Sequence, residues 1–371
     1  MGRSRRRLDY QADKLEQVLA AYKAPARVQG GTVTPRLVRF HLLPARGTKV
    51  AAIANLAEEL ALSLGVPSAR VSRRGGQIEV EIPREQPAIV RLDRLFQEVA
   101  DVPHATAILG VDDEGAPLLL RIASPEVAHA LICGTTGSGK TVLARTMILS
   151  LARYHSAHDL GLVLIDPKGR GYAPLAGLPH LARPVATTAA EALSVLKWLV
   201  GLMERRDRDG ATSPRLVCFI DELADLMLVA GHDMEALLTR LTQRGRSAGI
   251  HVVACTQKPT TAVIGSLVKS NFPVRIVGSV VSPEDAKVAT GLKQTGAEKL
   301  LGRGDFLLVL KGSTHRFQAA FANSETMAQL VEKLRGGRKP SQNGQVAAAT
   351  GTDGGFIGDL KDRVTQLRLV K

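Results

Sequence analysis

The run Gly134, Thr135, Thr136, Gly137, Ser138, Gly139, Lys140 and Thr141 has the residue types and spacing to hold the phosphates of a nucleotide. It fits the pattern G-x-x-x-x-G-K-[ST]. Glycines at 134, 137 and 139 let the backbone take positive φ, so successive N–H groups can turn inward at phosphate oxygens. Lys140 is placed to reach the outer phosphates. The Thr141 hydroxyl would complete a magnesium shell made mostly of phosphate and water.

A second pattern lies downstream, where the apolar run 216–220 ends in Asp221-Glu222. Asp221 is suited to hold magnesium or its water, and Glu222 to polarise the water that attacks a γ-phosphate. A surface turn would also carry two acids, but not at the end of such an apolar run. This strand is expected beside the phosphate loop. Gln257 follows the next apolar run, which places it at the C-terminal edge of the sheet, where ligands bind in open α/β folds. An amide there can sense the γ-phosphate or orient the attacking water. ATP and Mg2+ are the cofactors this set implies.

A phosphate loop works only between a strand and a helix, whose N-terminal dipole adds to the anion site. Apolar Leu131-Ile132-Cys133 enters the loop and the helical run 142–149 leaves it. Runs at 130–133, 162–165, 216–220, 252–255 and 274–277 are nearly all apolar and alternate with helical segments. They predict strands buried on both faces of a parallel sheet wrapped by helices, an α/β fold. Runs at 306–310 and 317–321 extend it. Before this motor, at 85–335, residues 28–84 predict a small α+β domain with strands at 36–43, 69–72 and 77–82 and a helix over 50–64. Arg73-Arg74-Gly75-Gly76 forms its basic hairpin tip, and an assembly or DNA-guiding role is expected. Residues 1–27 form a basic segment whose Leu15, Val18, Leu19 and Tyr22 recur at helical spacing, equally compatible with a frayed terminus. Residues 336–371 are expected to be a flexible linker and a short basic segment.

The 371 residues carry a formal charge of +14 and a sequence pI near 10.0, which points to a polyanionic partner. Nucleic acid comes first and an anionic membrane surface, through Arg3-Ser4-Arg5-Arg6-Arg7, second. Aromatic residues are only 4% of the chain, which disfavours stacking on single strands and favours tracking a duplex. Cys133, Cys218 and Cys255 each lie in an apolar run, without a CxxC pair, so neither a disulfide framework nor a metal site is indicated. Reduced thiols, the absence of a ~20-residue apolar span and the lack of an h-region lead us to expect a soluble, cytoplasmic protein.

Leu164-Ile165-Asp166-Pro167-Lys168, Gly177-Leu178-Pro179-His180-Leu181, Ile220-Asp221-Glu222-Leu223-Ala224-Asp225-Leu226, Ser247-Ala248-Gly249-Ile250-His251 and Gly296-Ala297-Glu298-Lys299-Leu300-Leu301-Gly302-Arg303-Gly304-Asp305 stand in one order along the chain. Together they resemble the FtsK/SpoIIIE family of DNA translocases over residues 32–335, with 32–64 similar to the family's α subdomain. The resemblance implies a P-loop NTPase motor of the RecA-like type, assembled as a hexameric ring that pulls double-stranded DNA through a central channel. Lys140, Thr141, Asp221, Glu222 and Gln257 then take the roles argued above.

The chain departs from the family pattern in three ways. A membrane-spanning N-terminal region and a C-terminal winged-helix domain have no counterpart here, so neither septal anchoring nor sequence-directed polarity is expected. Lys287, in Ser282-Pro283-Glu284-Asp285-Ala286-Lys287, stands where the family has an arginine. A point charge is a weaker substitute for a planar fork, which leaves Arg246 and Arg275 as candidates to serve a neighbouring subunit's nucleotide. Lys258, Lys269, Arg303, Lys311 and Arg316 are the candidate DNA contacts. The alternatives are a coupling or secretion ATPase moving a protein or nucleoprotein for a mobile element, an ATP- and DNA-binding scaffold, and a basic membrane-surface protein. An intact Glu222 argues against the scaffold.

Overall fold

The computed structural model describes residues 2–74, 76–85, 87–257, 271–336 and 368–370. The chain divides into two units, Met1–Ile89 with Asp113–Gly115, and Val90–Asp112 with Ala116–Lys371.

The first unit is a four-stranded antiparallel sheet with helices α1 (Gly2–Ala21), α2 (Val50–Ala54) and α3 (Ala57–Leu64). Its strands β1 (Ala26–Val33), β2 (Leu37–Pro44), β3 (Arg70–Arg74) and β4 (Gln77–Pro83) run in the order β1-β2-β4-β3. Leu15 and Leu19 of α1 are fully buried in one cluster with Phe40, Ile53, Leu60 and Val80. The first helix therefore belongs to this core, and the expected division at residue 27 falls inside it. β1 escaped the sequence reading because Gly30-Gly31 looks like a turn. A Cβ at Gly31 would lie 2.5 Å from the Arg39 carbonyl oxygen, so glycine lets the two backbones approach. The helix expected over 50–64 is broken into α2 and α3, and Gly65 ends α3 in the left-handed region at φ 65. Gly75 of the expected hairpin tip lies outside the described residues.

The second unit holds α4 (Leu92–Glu98), β5 (Thr106–Asp112), β6 (Pro117–Arg121), β7 (Ala130–Cys133), α5 (Lys140–Tyr154), β8 (Leu160–Ile165), α6 (Ala189–Asp209), β9 (Arg215–Ile220), α7 (Leu223–Arg244), β10 (Ile250–Thr256), β11 (Val274–Val277), β12 (Asp305–Leu310), β13 (Ser313–Ala319) and β14 (Arg368–Val370). Further helices span Pro283–Thr290 and Ser324–Arg335. The sheet order is β14-β6-β5-β13-β12-β11-β7-β10-β9-β8. The five strands β11-β7-β10-β9-β8 are parallel, and each contains one of the nearly all-apolar runs. β12 and β13 extend the sheet as expected, but antiparallel, and β5 and β6 continue it.

The nearly all-apolar composition is explained by two cores. Along β7, Ala130 and Ile132 enter one cluster with α5, while Leu131 and Cys133 enter the other with α6 and α7. Side chains of a strand alternate between faces, so only a strand covered on both sides has no polar positions. The ends of α6 are fixed by sequence: Thr188 and Glu191 form a capping box, and Gly210 closes the helix at φ 68. All three cysteines are free and buried, and burial pushes the Cys133 and Cys218 thiols up to about 12. Among the described residues no helix is long and apolar enough to cross a membrane.

At the edge where the parallel strands begin, His129 and His251 are buried with ring centroids 6.3 Å apart. The Val252 N–H donates to His129 Nδ1 at 3.0 Å, so this nitrogen must stay unprotonated, and His251 Nδ1 bonds the Ala128 carbonyl at 2.9 Å. Burial, reinforced by neighbouring charges, lowers His129 from 6.5 to about 3 and His251 to about 4. Between those values and 6.5 the unfolded chain takes up protons that the folded one refuses. Stability should thus be complete above about pH 6.5 and fall as pH drops toward 4, by about 1.4 kcal/mol per pH unit for each proton. Denaturant midpoints measured across this range, with His129→Asn flattening the slope, check it.

Candidate nucleotide site

The phosphate loop leaves β7 at the C-terminal edge of the parallel strands and runs straight into α5. Its neighbours on the sheet are β10 and β11, while the chain next goes to β8 at the far edge, so the loop sits where strand order reverses. Gly139, the residue before α5, has φ 103, and a Cβ there would lie 2.9 Å from the Gly304 amide nitrogen. No other residue type satisfies both conditions.

Two further loops hold the phosphate loop from behind. The Thr135 N–H and hydroxyl donate to the Ser279 carbonyl at 2.8 and 3.1 Å. The Arg303 and Gly304 N–H groups donate to the Gly137 and Ser138 carbonyls at 3.0 and 2.8 Å. Lys140 folds back, its Nζ donating to the Gly134 and Thr135 carbonyls at 2.7 and 3.0 Å, and burial draws its ammonium below the ordinary lysine value.

β9 is one strand further from β7 than expected, because β10 lies between them. Asp221 nonetheless reaches the start of α5, where its Oδ1 accepts the Thr141 hydroxyl at 2.9 Å. Glu222, 3% exposed, accepts the Gln257 N–H on Oε1 at 3.2 Å. Gln257 Oε1 in turn accepts the Thr136 hydroxyl at 2.8 Å. Phosphate loop, Gln257 and Glu222 are therefore one connected path. Burial raises both carboxyls above their ordinary values, opposed by the Thr141 hydroxyl at Asp221 and by the Gln257 N–H at Glu222. Thr141 and Asp221 present a hydroxyl and a carboxylate side by side, the hard oxygen donors that Mg2+ takes together with phosphate and water.

The other predicted residues are placed differently. Arg316 is partly exposed and holds the fully buried Asp305 bidentately at 3.0 and 2.9 Å. Arg303 is strapped to the phosphate loop through its own backbone, at φ 50 in the left-handed region, with its side chain exposed. Lys311, at the β12–β13 turn, pairs with Glu126 at 3.0 Å. Lys258 and Lys269 lie outside the described residues. Arg275 is half-buried with its guanidinium beside Gly291, where a Cβ would meet Nη1 at 2.6 Å. Arg246 is exposed before β10, at the edge opposite the phosphate loop, and donates to the Pro125 carbonyl at 3.2 Å. Lys287 is exposed in the helix Pro283–Thr290. Sequence reasoning missed Ser279 and Gly304 as supports of the loop; the Gly296 to Asp305 motif signalled Gly304, and Ser279 lies outside it.

The chain is similar to known proteins in sequence and in fold. A sequence profile of the FtsK/SpoIIIE family matches residues 94–209 and 207–261, and one of the FtsK alpha domain matches residues 2–84. The chain is 35% identical over 363 residues to the DNA translocase SftA of Bacillus subtilis, covering 90% of this chain and 38% of the relative. It is 36% identical over 366 residues to the DNA translocase FtsK of Halalkalibacterium halodurans, covering 88% and 45%. The chain thus spans less than half the length of these curated relatives. In structure it is similar to the pCW3 conjugation coupling protein TcpA in its monomer form with ATPgS, at a TM-score of 0.61 and 18% identity, covering 88% of this chain and 99% of that one; this likeness concerns the fold.

Two outcomes follow from the corrected placements. Arg316→Ala should destabilise the second unit by about 2 kcal/mol, because Asp305 loses its charged partner, while the salt slope of DNA binding stays unchanged. Chemical denaturation and binding at several salt concentrations read the two effects. At position 303, Gly should be tolerated and Val should cost about 1–2 kcal/mol of stability, since a β-branched residue resists positive φ.

Proposed function

The chain belongs to the FtsK/SpoIIIE family, and on that premise we propose that it is an ATP-hydrolysing motor that moves along or pumps double-stranded DNA. The observation that carries this reading is the path Thr136–Gln257–Glu222. A residue touching the phosphate loop also holds the candidate base, at 2.8 and 3.2 Å.

In the proposed cycle the loop's N–H groups and Lys140, released from the Gly134 and Thr135 carbonyls, bind the phosphates of ATP. Thr141 and Asp221 would hold magnesium, which when bound would supply charge neutralisation on the leaving group. Glu222 orients and polarises the attacking water, and its raised affinity for a proton suits a base. Lys258, the residue after Gln257 in the sequence, and Lys269 are the candidate contacts to the DNA backbone.

Hydrolysis in this reading is completed at the contact between copies of the chain, in a hexameric ring. Val281 and Leu301, 81% and 63% exposed, lie two residues in sequence from Ser279 and Arg303 and are candidates to meet a second copy. Arg246, exposed at the opposite edge, is the better placed of the two trans-acting candidates, because Arg275 is half-buried against its own fold. A cytoplasmic site of action goes with a DNA cargo.

The test is the ATP hydrolysis rate as linear duplex DNA is lengthened at fixed nucleotide. The rate should climb with length and level off, with Lys140→Ala inactive and Glu222→Gln binding ATP without turnover. A rate indifferent to duplex of every length would sink DNA translocation and favour a protein or nucleoprotein cargo.

A further inference from the structure

We propose that Asp166 is a second carboxylate of the cation corner of the nucleotide site, binding the divalent ion directly or through one of its waters. The inference rests on the ATPase reading above and deepens it.

Asp166 follows β8, the strand beyond β9, at the same edge of the sheet as Asp221. It is fully buried. Its Oδ2 accepts the Tyr172 N–H at 2.9 Å, and its Oδ1, also buried, has no donor among the described residues. Gly171 shows how close the two acids come. A Cβ there would lie 2.7 Å from Asp221 Oδ2 and 3.4 Å from Asp166 Oδ2, so both carboxylates border one point that only glycine leaves open.

Among the described residues neither Asp166 nor Asp221 has a salt-bridge partner, although the charges of Arg145 and Lys140 are felt at Asp221. Arg145 donates to the Gly171 and Arg170 carbonyls at 2.5 and 2.9 Å, Lys140 to the phosphate loop, and Lys168 pairs with Asp225 at 3.0 Å. A fully buried carboxylate and a partly buried one thus share a corner where, among the described residues, no guanidinium or ammonium forms a salt bridge with either. Such an arrangement is costly unless something positive completes it. Mg2+ is bound in this way elsewhere, by one or two carboxylates with several retained waters. Arg145 also ties the 166–172 loop to α5, whose first residues are Lys140 and Thr141, so the second carboxylate is held in step with the first.

The experiment titrates Mn2+ or Mg2+ into the full chain in the presence of a fluorescent, non-hydrolysable ATP analogue, comparing wild type, Asp166→Asn and Asp221→Asn. Nucleotide binding in EDTA reports that each variant is folded. Asp166→Asn should raise the half-maximal cation concentration by about tenfold or more while leaving binding in EDTA unchanged. A wild-type cation curve for Asp166→Asn beside a shifted one for Asp221→Asn would overturn this inference alone. Loss of binding in EDTA would also overturn it, since Asp166 would then merely shape the loop. If Asp221→Asn leaves the curve in place too, the nucleotide-site reading falls with it.

Discussion

A loop that binds phosphate must keep its N–H groups free and its carbonyls occupied. That requirement organises the second unit. Lys140 takes the Gly134 and Thr135 carbonyls, and the Arg303 and Gly304 amides take those of Gly137 and Ser138. Among the described residues no backbone acceptor meets the N–H groups of Thr136, Gly137 or Gly139. With the Gly137 and Ser138 carbonyls bound from behind, these peptide dipoles are held in place before any ligand arrives.

The sheet supplies the partners for this arrangement. β11 ends beside β7 and delivers Gly278 and Ser279, and the antiparallel turn into β12 delivers Arg303 and Gly304. On the other side β10 delivers Gln257, and β9, one strand beyond, brings Asp221 within reach of Thr141. Strand order, rather than sequence order, decides which side chains meet. The acid pair at the end of β9 and the amide at the end of β10 touch because the two strands are adjacent and parallel.

This explains what could be read from the sequence. The phosphate loop, the Asp221-Glu222 pair and the five parallel strands are local patterns, each set by composition within a few residues. Gln257 was legible because it ends an apolar run. The roles of Arg303 and Arg316 were not, because each depends on a partner distant in sequence, a carbonyl of the phosphate loop in one case and buried Asp305 in the other. β1 was hidden by its glycines, and the docking of α1 by a basic start that outweighed its apolar stripe. β5 and β6 carry no motif and are ordinary buried strands.

Gly139 and Gly304 stand back to back, since a Cβ on the first would strike the amide nitrogen of the second at 2.9 Å. The phosphate-binding motif is therefore discontinuous: half is written in the familiar run, half in a turn far along the chain. Grafting the run alone into another protein would transplant its letters without its backing, and substitutions at the two glycines should be epistatic, each judged by what the other permits.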